Sequence, residues 1–113
     1  MADPADLFVL IGQLTDTHVV AADADGNVPD EVWVDNNARL AEAVAGLNAE
    51  TPALAAVLGT GDLTNGGRPG EYVNLAELLA PLTVPFLPIP GNHDDRDLLR
   101  STFPDMPWVD APH

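Results

Sequence analysis

The sequence predicts an α/β fold in which strands and helices alternate in the order β-α-β-α-β-α. Three apolar runs of strand length lie at residues 7–13, 54–58 and 84–89, and a segment with helical features follows each of them. Such alternation favours a parallel sheet whose strands are joined by right-handed crossovers. No internal repeat or low-complexity tract interrupts the pattern. We therefore expect three successive β-α pairs that share one sheet.

The first β-α pair contains a long loop. The run over residues 7–13 is continuously apolar, which is typical of a strand buried on both faces. A polar and acidic stretch over 19–34 follows, and its glycine, proline and aspartates indicate a loop. A helix is predicted over 37–50, because Asp35 or Asn36 can cap it and apolar residues recur at helical spacing. Those apolar residues are Leu40, Val44 and Leu47.

The second and third β-α pairs are shorter. The second strand is predicted over 54–58, where an apolar run is closed by glycines. The second helix has Pro69 near its first turn and ends at Pro81. Its predicted buried face is formed by Tyr72, Ala76 and Leu79. The third strand, over 84–89, contains prolines and is therefore expected at a sheet edge, and a short helix is predicted over 95–102.

The composition excludes several classes of function. The 113 residues include 18 acidic and only 4 basic ones, which gives a formal net charge of −14. This charge argues against binding to duplex nucleic acid or to an anionic membrane surface. The absence of cysteine excludes disulfide scaffolds, thiolate nucleophiles and thiolate metal sites. The first apolar run is too short to span a bilayer and lacks a basic leader, so a cytoplasmic protein is expected.

Polar residues that can bind metals or transfer protons follow each predicted strand. They are Asp16 and His18 after the first strand, Asp62 after the second, and Asn92, His93 and Asp94 after the third. Because the carboxyl ends of parallel strands meet at one edge of the sheet, we expect these groups to converge. Asp16 and His18 are two residues apart, so both can point to one side of an extended segment and chelate one ion. Carboxylate, imidazole and amide ligands without thiolate suit Mn²⁺, Fe or Zn²⁺.

The order of these residues resembles that of a known family. The blocks Asp16-x-His18, Gly61-Asp62 and Gly91-Asn92-His93-Asp94 are similar to the first three signature blocks of the calcineurin-like metallophosphoesterases. Residues 61–72 and 88–96 resemble, more narrowly, the bacterial class III cyclic nucleotide phosphodiesterases. Each block alone is common, whereas the three in order, each after its own strand, are specific. The resemblance extends from about residue 7 to residue 104.

The resemblance implies a dinuclear metal centre. By position, Asp16 and His18 would bind the first ion, and Asp62 would bridge the two ions. Asn92 would bind the second ion through its amide oxygen. The family usually holds iron or manganese in the first position and manganese, zinc or another divalent ion in the second. Iron and manganese are therefore the expected cofactors, with zinc as an alternative.

The resemblance also implies a reaction. The expected activity is hydrolysis of a small phosphodiester by a metal-activated water, without a covalent enzyme intermediate. His93 would contact the phosphate or protonate the leaving oxygen, and Asp94 would orient His93. A 3',5'-cyclic nucleotide is the leading substrate, and glycerophosphodiesters and simple monoesters are the alternatives.

The family's later ligand blocks have no counterpart in this sequence. Members supply three further histidines from that later part, whereas the only other histidine here is His113, outside any recognisable block. Residues 1–113 are thus expected to be the amino-terminal part of one metallophosphoesterase domain, the first half of a four-layer αββα sandwich. One sheet face would be exposed unless a second copy or a partner chain covers it. The chain alone would be weakly active or inactive, and the alternative is a non-catalytic metal-binding remnant or a module completed by a partner.

Overall fold

A computed structural model describes residues 9–22, 35–91 and 94–105 of the chain. The elements are β1 (Ile11–Leu14), α1 (Asn36–Asn48), β2 (Ala56–Thr60), α2 (Pro69–Leu79), β3 (Phe86–Ile89) and α3 (Arg96–Thr102). The strands are parallel and lie in the order β1-β2-β3. The predicted alternation and the parallel sheet are thereby confirmed, and β3 lies at an edge of this three-stranded sheet as its prolines predicted.

The strand boundaries differ from those predicted from hydrophobicity. β1 begins at Ile11, after the exposed residues Val9 and Leu10, and the first residues of the predicted strand lie outside the described part of the chain. β2 begins two residues later than predicted and continues through Gly59 to Thr60. The reason is that strand bounds follow backbone pairing, and Gly59 pairs with both neighbouring strands. A Cβ at Gly59 would meet the ring of Phe86, so this strand position requires glycine.

Among the described residues, helices cover one face of the sheet and leave the other exposed. Along β1, Ile11 and Gln13 are exposed whereas the alternating residues Gly12 and Leu14 are buried, so the prediction of a strand buried on both faces is wrong for residues 11–14. The physical reason is that a sheet extended in one direction by right-handed crossovers has its helices on the same side. The buried strand residues join residues of all three helices in one core, which contains Leu14, Val57, Phe86, Leu40, Val44, Tyr72, Leu75, Leu79 and Leu99.

The helices begin within one residue of their predicted starts, and α1 ends two residues earlier than predicted. The Asp35 carboxylate accepts a hydrogen bond from Ala38 N at 2.9 Å and caps α1, and Asp95 caps α3 by accepting one from Leu98 N at 2.9 Å. Pro69 is the first residue of α2. Within the three described ranges, none of the helices has the length and apolar character needed to cross a membrane.

Candidate metal centre

The segments that follow β1 and β2 run side by side, as a continuation of the parallel sheet. Asp16 N donates to the Gly61 carbonyl at 3.0 Å, and His18 N donates to the Asp62 carbonyl at 3.1 Å. Further along, Val19 N donates to the Leu63 carbonyl at 2.9 Å. These backbone bonds hold the two loops together at the carboxyl edge of the sheet, where the sequence predicted that the polar residues would meet.

Asp16, His18 and Asp62 converge at this edge. One ligand atom from each lies within 4.8 Å of the others, and His18 Nε2 is 3.7 Å from Asp16 Oδ1. Asp16 is exposed, and His18 and Asp62 are partly buried, so the cluster is open to solvent on one side. Two carboxylates and one imidazole are a donor set that fits Mn²⁺, Fe or Zn²⁺. The structure thus brings together three of the four predicted metal ligands.

The same three residues have an unusual backbone conformation. Asp16, His18 and Asp62 have φ angles of 52°, 43° and 50°, and they are the only non-glycine residues with positive φ in the described ranges. A left-handed backbone at an L-residue costs about 1–2 kcal/mol. Such conformations persist where surrounding contacts enforce them, and they concentrate at functional sites. Within the described ranges, the positive φ angles at non-glycine residues therefore coincide with the candidate ligands.

The loop after β3 packs directly against Asp62. A Cβ at Gly91 would meet the backbone nitrogen and the carboxylate of Asp62, and a Cβ at Gly61 would lie 3.2 Å from the Gly91 Cα. Gly91 is thus required for this close approach, whereas the sequence predicted that it would turn the chain. The residues that follow it, Asn92 and His93, lie outside the described residues. Their predicted roles as metal ligand and catalytic residue stay predictions.

The Asp94 carboxylate joins the loops after β2 and β3. Its Oδ1 accepts hydrogen bonds from Thr64 N at 2.9 Å and Thr64 Oγ1 at 3.0 Å, and its Oδ2 accepts from Leu63 N at 3.1 Å and Gly91 N at 2.9 Å. All four partners lie in the two loops that surround Asp62. The predicted role of Asp94, to orient His93, is not tested by these contacts.

Asparagines from α1 and α2 hold the β1 loop from the other side. Asn36 Nδ2 donates to the His18 carbonyl at 3.2 Å. Asn37 bonds to both Val20 N and the Val20 carbonyl, each at 3.0 Å, and Asn74 Nδ2 donates to that carbonyl at 2.9 Å. Sequence reasoning assigned no role at the site to these side chains. A capping or helical position alone gives no signal for a contact 17 or 54 residues away.

Buried polar residues stabilise the β2 loop, and sequence reasoning missed them as well. Thr64 Oγ1 accepts a hydrogen bond from Gly67 N at 3.1 Å, and Glu71 Oε1 accepts from Gly66 N at 2.8 Å and Arg68 N at 3.0 Å. Thr64 and Glu71 are buried. The bond from Glu71 back to the residue before the helix is half of a capping box, a pattern that the sequence obscures because an arginine occupies the cap position.

Tyr72 connects this loop to the start of α3. Its hydroxyl accepts a hydrogen bond from Asp95 N at 2.6 Å and lies 3.2 Å from the Asp95 carbonyl. Burial raises the pKa of the Tyr72 phenol above its usual 10.0, the nearby charges of Asp94 and Asp95 act in the same direction, and hydrogen bonds to Thr64 and to the Asp95 backbone oppose the shift. The neutral phenol is therefore the form that the folded protein favours.

A cavity of about 230 Å³ adjoins Asp16, between the β1 loop and α1. Its lining includes the hydroxyl-bearing residues Thr15 and Thr17, the amide-bearing Asn36 and the cationic Arg39. The candidate centre therefore has space beside it for a small ligand, with one arginine in the wall of that space.

Comparisons with known proteins identify the family of the chain. The family model for calcineurin-like phosphoesterases matches residues 9–111, nearly the whole chain. The chain belongs to the calcineurin-like phosphoesterase family, which confirms the resemblance seen in the motif blocks. The α/β arrangement of the described residues agrees with the first half of the fold expected for that family.

Bacterial phosphodiesterases are among the similar curated proteins. A probable cyclic nucleotide phosphodiesterase of Rhodopseudomonas palustris is 43% identical over 96 residues, which cover 83% of this chain and 32% of that protein. A glycerophosphodiester phosphodiesterase of Enterobacter lignolyticus is 38% identical over 102 residues, covering 87% of this chain and 35% of that protein. A 3',5'-cyclic adenosine monophosphate phosphodiesterase of Pseudomonas aeruginosa is 33% identical over 95 residues, which cover 84% of this chain and 34% of that protein. The chain thus spans about a third of the length of these relatives.

Proposed function

We propose that this chain supplies ligands to the metal centre of a phosphodiesterase. Asp16 and His18 bind one metal ion, and Asp62 bridges it to a second ion that Asn92 also binds. The observation that supports this proposal best is the convergence of Asp16, His18 and Asp62 within 4.8 Å, on a backbone held in an unfavourable conformation. An acidic cluster with an imidazole, in a chain of this family, is suited to cations and not to a bare phosphate.

The donor set favours iron and manganese in this centre, with zinc as the alternative. When bound, the ions supply an activated water as nucleophile and neutralise charge on the phosphoryl oxygens. The chain's own residues hold the ions and, at His93, contact the phosphate or donate a proton to the leaving oxygen. Asp94 orients His93 in this scheme.

A 3',5'-cyclic nucleotide is the substrate that we propose first, and a glycerophosphodiester is the second candidate. Both choices are supported by the names of similar proteins: a probable cyclic nucleotide phosphodiesterase, a 3',5'-cyclic adenosine monophosphate phosphodiesterase and a glycerophosphodiester phosphodiesterase. The strongly acidic chain, with a net charge of −14, disfavours duplex nucleic acid and anionic membranes as partners. A cytoplasmic location stays a prediction, to be tested by cell fractionation.

A second candidate function is a metal-binding module whose fold is completed by another polypeptide segment, a partner chain or a second copy. The observation that favours it is the uncovered sheet face, on which Ile11 is 56% and Ile89 is 54% exposed. Large apolar side chains grouped on one face are typical of surfaces that another element covers. In this case the chain alone binds metal weakly and does not turn over substrate.

Metal binding and hydrolysis by the 113-residue chain test the proposal. We expect Mn²⁺ to bind in a calorimetric titration and the binding to be lost in Asp62→Ala, because the bridging carboxylate is removed. Asp105→Ala is the matched control, since Asp105 is an exposed aspartate outside the cluster. Wild-type chain that binds no Mn²⁺ would overturn the proposed centre.

Hydrolysis is measured in parallel with bis(p-nitrophenyl) phosphate, 3',5'-cyclic AMP and a glycerophosphodiester in the presence of Mn²⁺. We expect little or no turnover by the chain alone, because two thirds of the relatives' length has no counterpart in it. Robust turnover that disappears in Asp62→Ala would show that the chain is a complete enzyme and would exclude the module. The preferred ester would then decide between the two substrate classes.

A further inference from the structure

The Asp94 carboxylate accepts hydrogen bonds from residues on two sides of Asp62. Leu63, whose amide bonds to Asp94 at 3.1 Å, directly follows Asp62 in the chain. Gly91, whose amide bonds to the same oxygen at 2.9 Å, is the residue packed against the Asp62 carboxylate. Asp94 therefore fixes both the backbone that carries Asp62 and the surface against which its side chain rests.

Asp62 needs such a restraint because its own backbone is strained. Its φ of 50° is unfavourable for an L-residue, so the loop would relax without contacts that enforce this conformation. The cross-loop bond from His18 N to the Asp62 carbonyl restrains one side of the peptide. The Asp94 bonds to Leu63 N and Thr64 N restrain the residues that follow.

We propose that Asp94 is a positioning residue that clamps Asp62 in its metal-binding orientation. This inference rests on the proposed role of Asp62 as a metal ligand, and it gives Asp94 a function that does not depend on His93. Thr64 is the second member of the clamp, because its backbone amide and its hydroxyl both donate to Asp94 Oδ1, and it is completely buried (0% exposed).

The chemistry of the clamp requires a carboxylate. An ionised carboxylate only accepts hydrogen bonds, and each Asp94 oxygen accepts two from groups in the described part of the chain. In Asp94→Asn, the amide NH₂ replaces one of these oxygens and faces at least one backbone N–H, whichever way the amide is turned. At least one buried donor then loses its acceptor, and the loop loses the bond that holds it.

The test compares Mn²⁺ affinity and amide hydrogen exchange in the wild-type chain and in Asp94→Asn. We expect Asp94→Asn to weaken Mn²⁺ binding by about 10-fold or more, the effect of losing a residue that orients a metal ligand. In the metal-free chain, the amides of Leu63, Thr64 and Gly91 should exchange faster. The absorption spectrum of bound Co²⁺ should change as well, because the orientation of a ligand changes.

Three further variants separate the clamp from other effects. Thr64→Val leaves Asp94 and His93 intact and removes the hydroxyl that bonds to Asp94 and to Gly67 N, so it should weaken Mn²⁺ binding in the same direction. Thr64→Ser keeps that hydroxyl and should bind Mn²⁺ as the wild-type chain does. Asp95→Ala removes the cap of α3 but no bond to Asp94, and it should leave Mn²⁺ affinity and the Co²⁺ spectrum unchanged. If Asp94→Asn does not fold, as judged by circular dichroism, the Thr64 pair carries the test.

The outcomes distinguish the clamp from the proposed metal centre. A wild-type chain that binds Mn²⁺, with Asp94→Asn binding equally well and exchanging amides at the same rate, would overturn the clamp alone. A role limited to orienting His93 predicts that result, because it leaves Mn²⁺ affinity and amide exchange unchanged. A wild-type chain that binds no Mn²⁺ would overturn the proposed centre itself.

Discussion

At the scale of single residues, the candidate centre depends on glycine at position 91, where there is no room for a side chain. Replacing it by alanine in Gly91→Ala places a methyl group against the Asp62 nitrogen and carboxylate, so the two loops must separate. We expect a loss of about 1–3 kcal/mol in the free energy of unfolding, the usual cost of overpacking. Mn²⁺ binding should weaken at the same time. Urea unfolding and calorimetric titration measure the two effects.

Gly46→Ala is the matched control for that substitution. Gly46 lies inside α1, and a Cβ there would have no neighbour within 4 Å. Alanine should therefore stabilise the protein by about 0.5–1 kcal/mol through helix propensity and leave Mn²⁺ binding unchanged. Equal effects of the two substitutions would show that the close approach at Gly91 is unimportant.

A second prediction at the scale of single residues concerns the titration of the Tyr72 phenol at alkaline pH. It is the only tyrosine in the sequence, so its titration can be followed by phenolate absorbance without interference. We expect its pKa in the folded chain to lie above 10.0, chiefly because burial penalises the phenolate. The unfolded chain in urea should titrate at about 10.

The same shift determines how stability depends on pH. Between the unfolded and the folded pKa of Tyr72, the unfolded chain has lost the proton that the native chain retains. The contribution of this group to stability is therefore fully present below pH 10.0 and is lost as pH rises through the folded pKa. Tyr72→Phe should remove this alkaline decrease in the free energy of unfolding, and a decrease of the same size in that variant would contradict the assignment.

At the scale of the elements, α2 has one face buried in the core and one face exposed to solvent. Leu75 is completely buried in the core, whereas Val73, two residues earlier, is 57% exposed. Leu75→Ala should lower the free energy of unfolding by about 2–5 kcal/mol, since it removes buried methyl groups and leaves a cavity. Val73→Ala on the same helix should change it by no more than about 0.5 kcal/mol. Thermal or urea unfolding of both variants provides the comparison.

At the scale of the whole molecule, the exposed apolar residues of the uncovered sheet face are expected to determine dye binding and self-association. Ile11 and Ile89 lie on it beside Leu87, which is also exposed. We expect the chain to bind the hydrophobic dye ANS or to self-associate, and Ile89→Gln to reduce both effects, because grouped apolar residues drive association. Dye fluorescence and sedimentation measure them.

Val73→Gln is the control for the sheet-face prediction. Val73 is as exposed as Ile89, but it lies on α2 and not on the sheet. Replacing it should leave dye binding and sedimentation nearly unchanged. If Val73→Gln reduced dye binding as much as Ile89→Gln, the dye would be reporting scattered apolar residues and not the face.

Much of the fold could be predicted from local patterns. The apolar spacing of Leu40 and Val44 and the capping position of Asp35 predicted α1, and both buried residues and the cap are as expected. The predicted bounds of β2 lay two residues too early in the chain, because Gly59 and Thr60 have no hydrophobic signal although they pair with β3. Local sequence describes what a segment prefers, but pairing across strands determines where the strand ends.

For the candidate site, the sequence determined which groups are available and at which edge of the sheet they lie. Asp16, His18 and Asp62 follow strands of a parallel sheet, and this topology requires them to meet. Only the tertiary structure decided how they are held: by positive φ angles, by the approach of Gly91 and by the Asp94 carboxylate. These features depend on atoms from loops about thirty to forty-five residues apart, which are brought within hydrogen-bonding distance only when the helices pack on one face of the sheet.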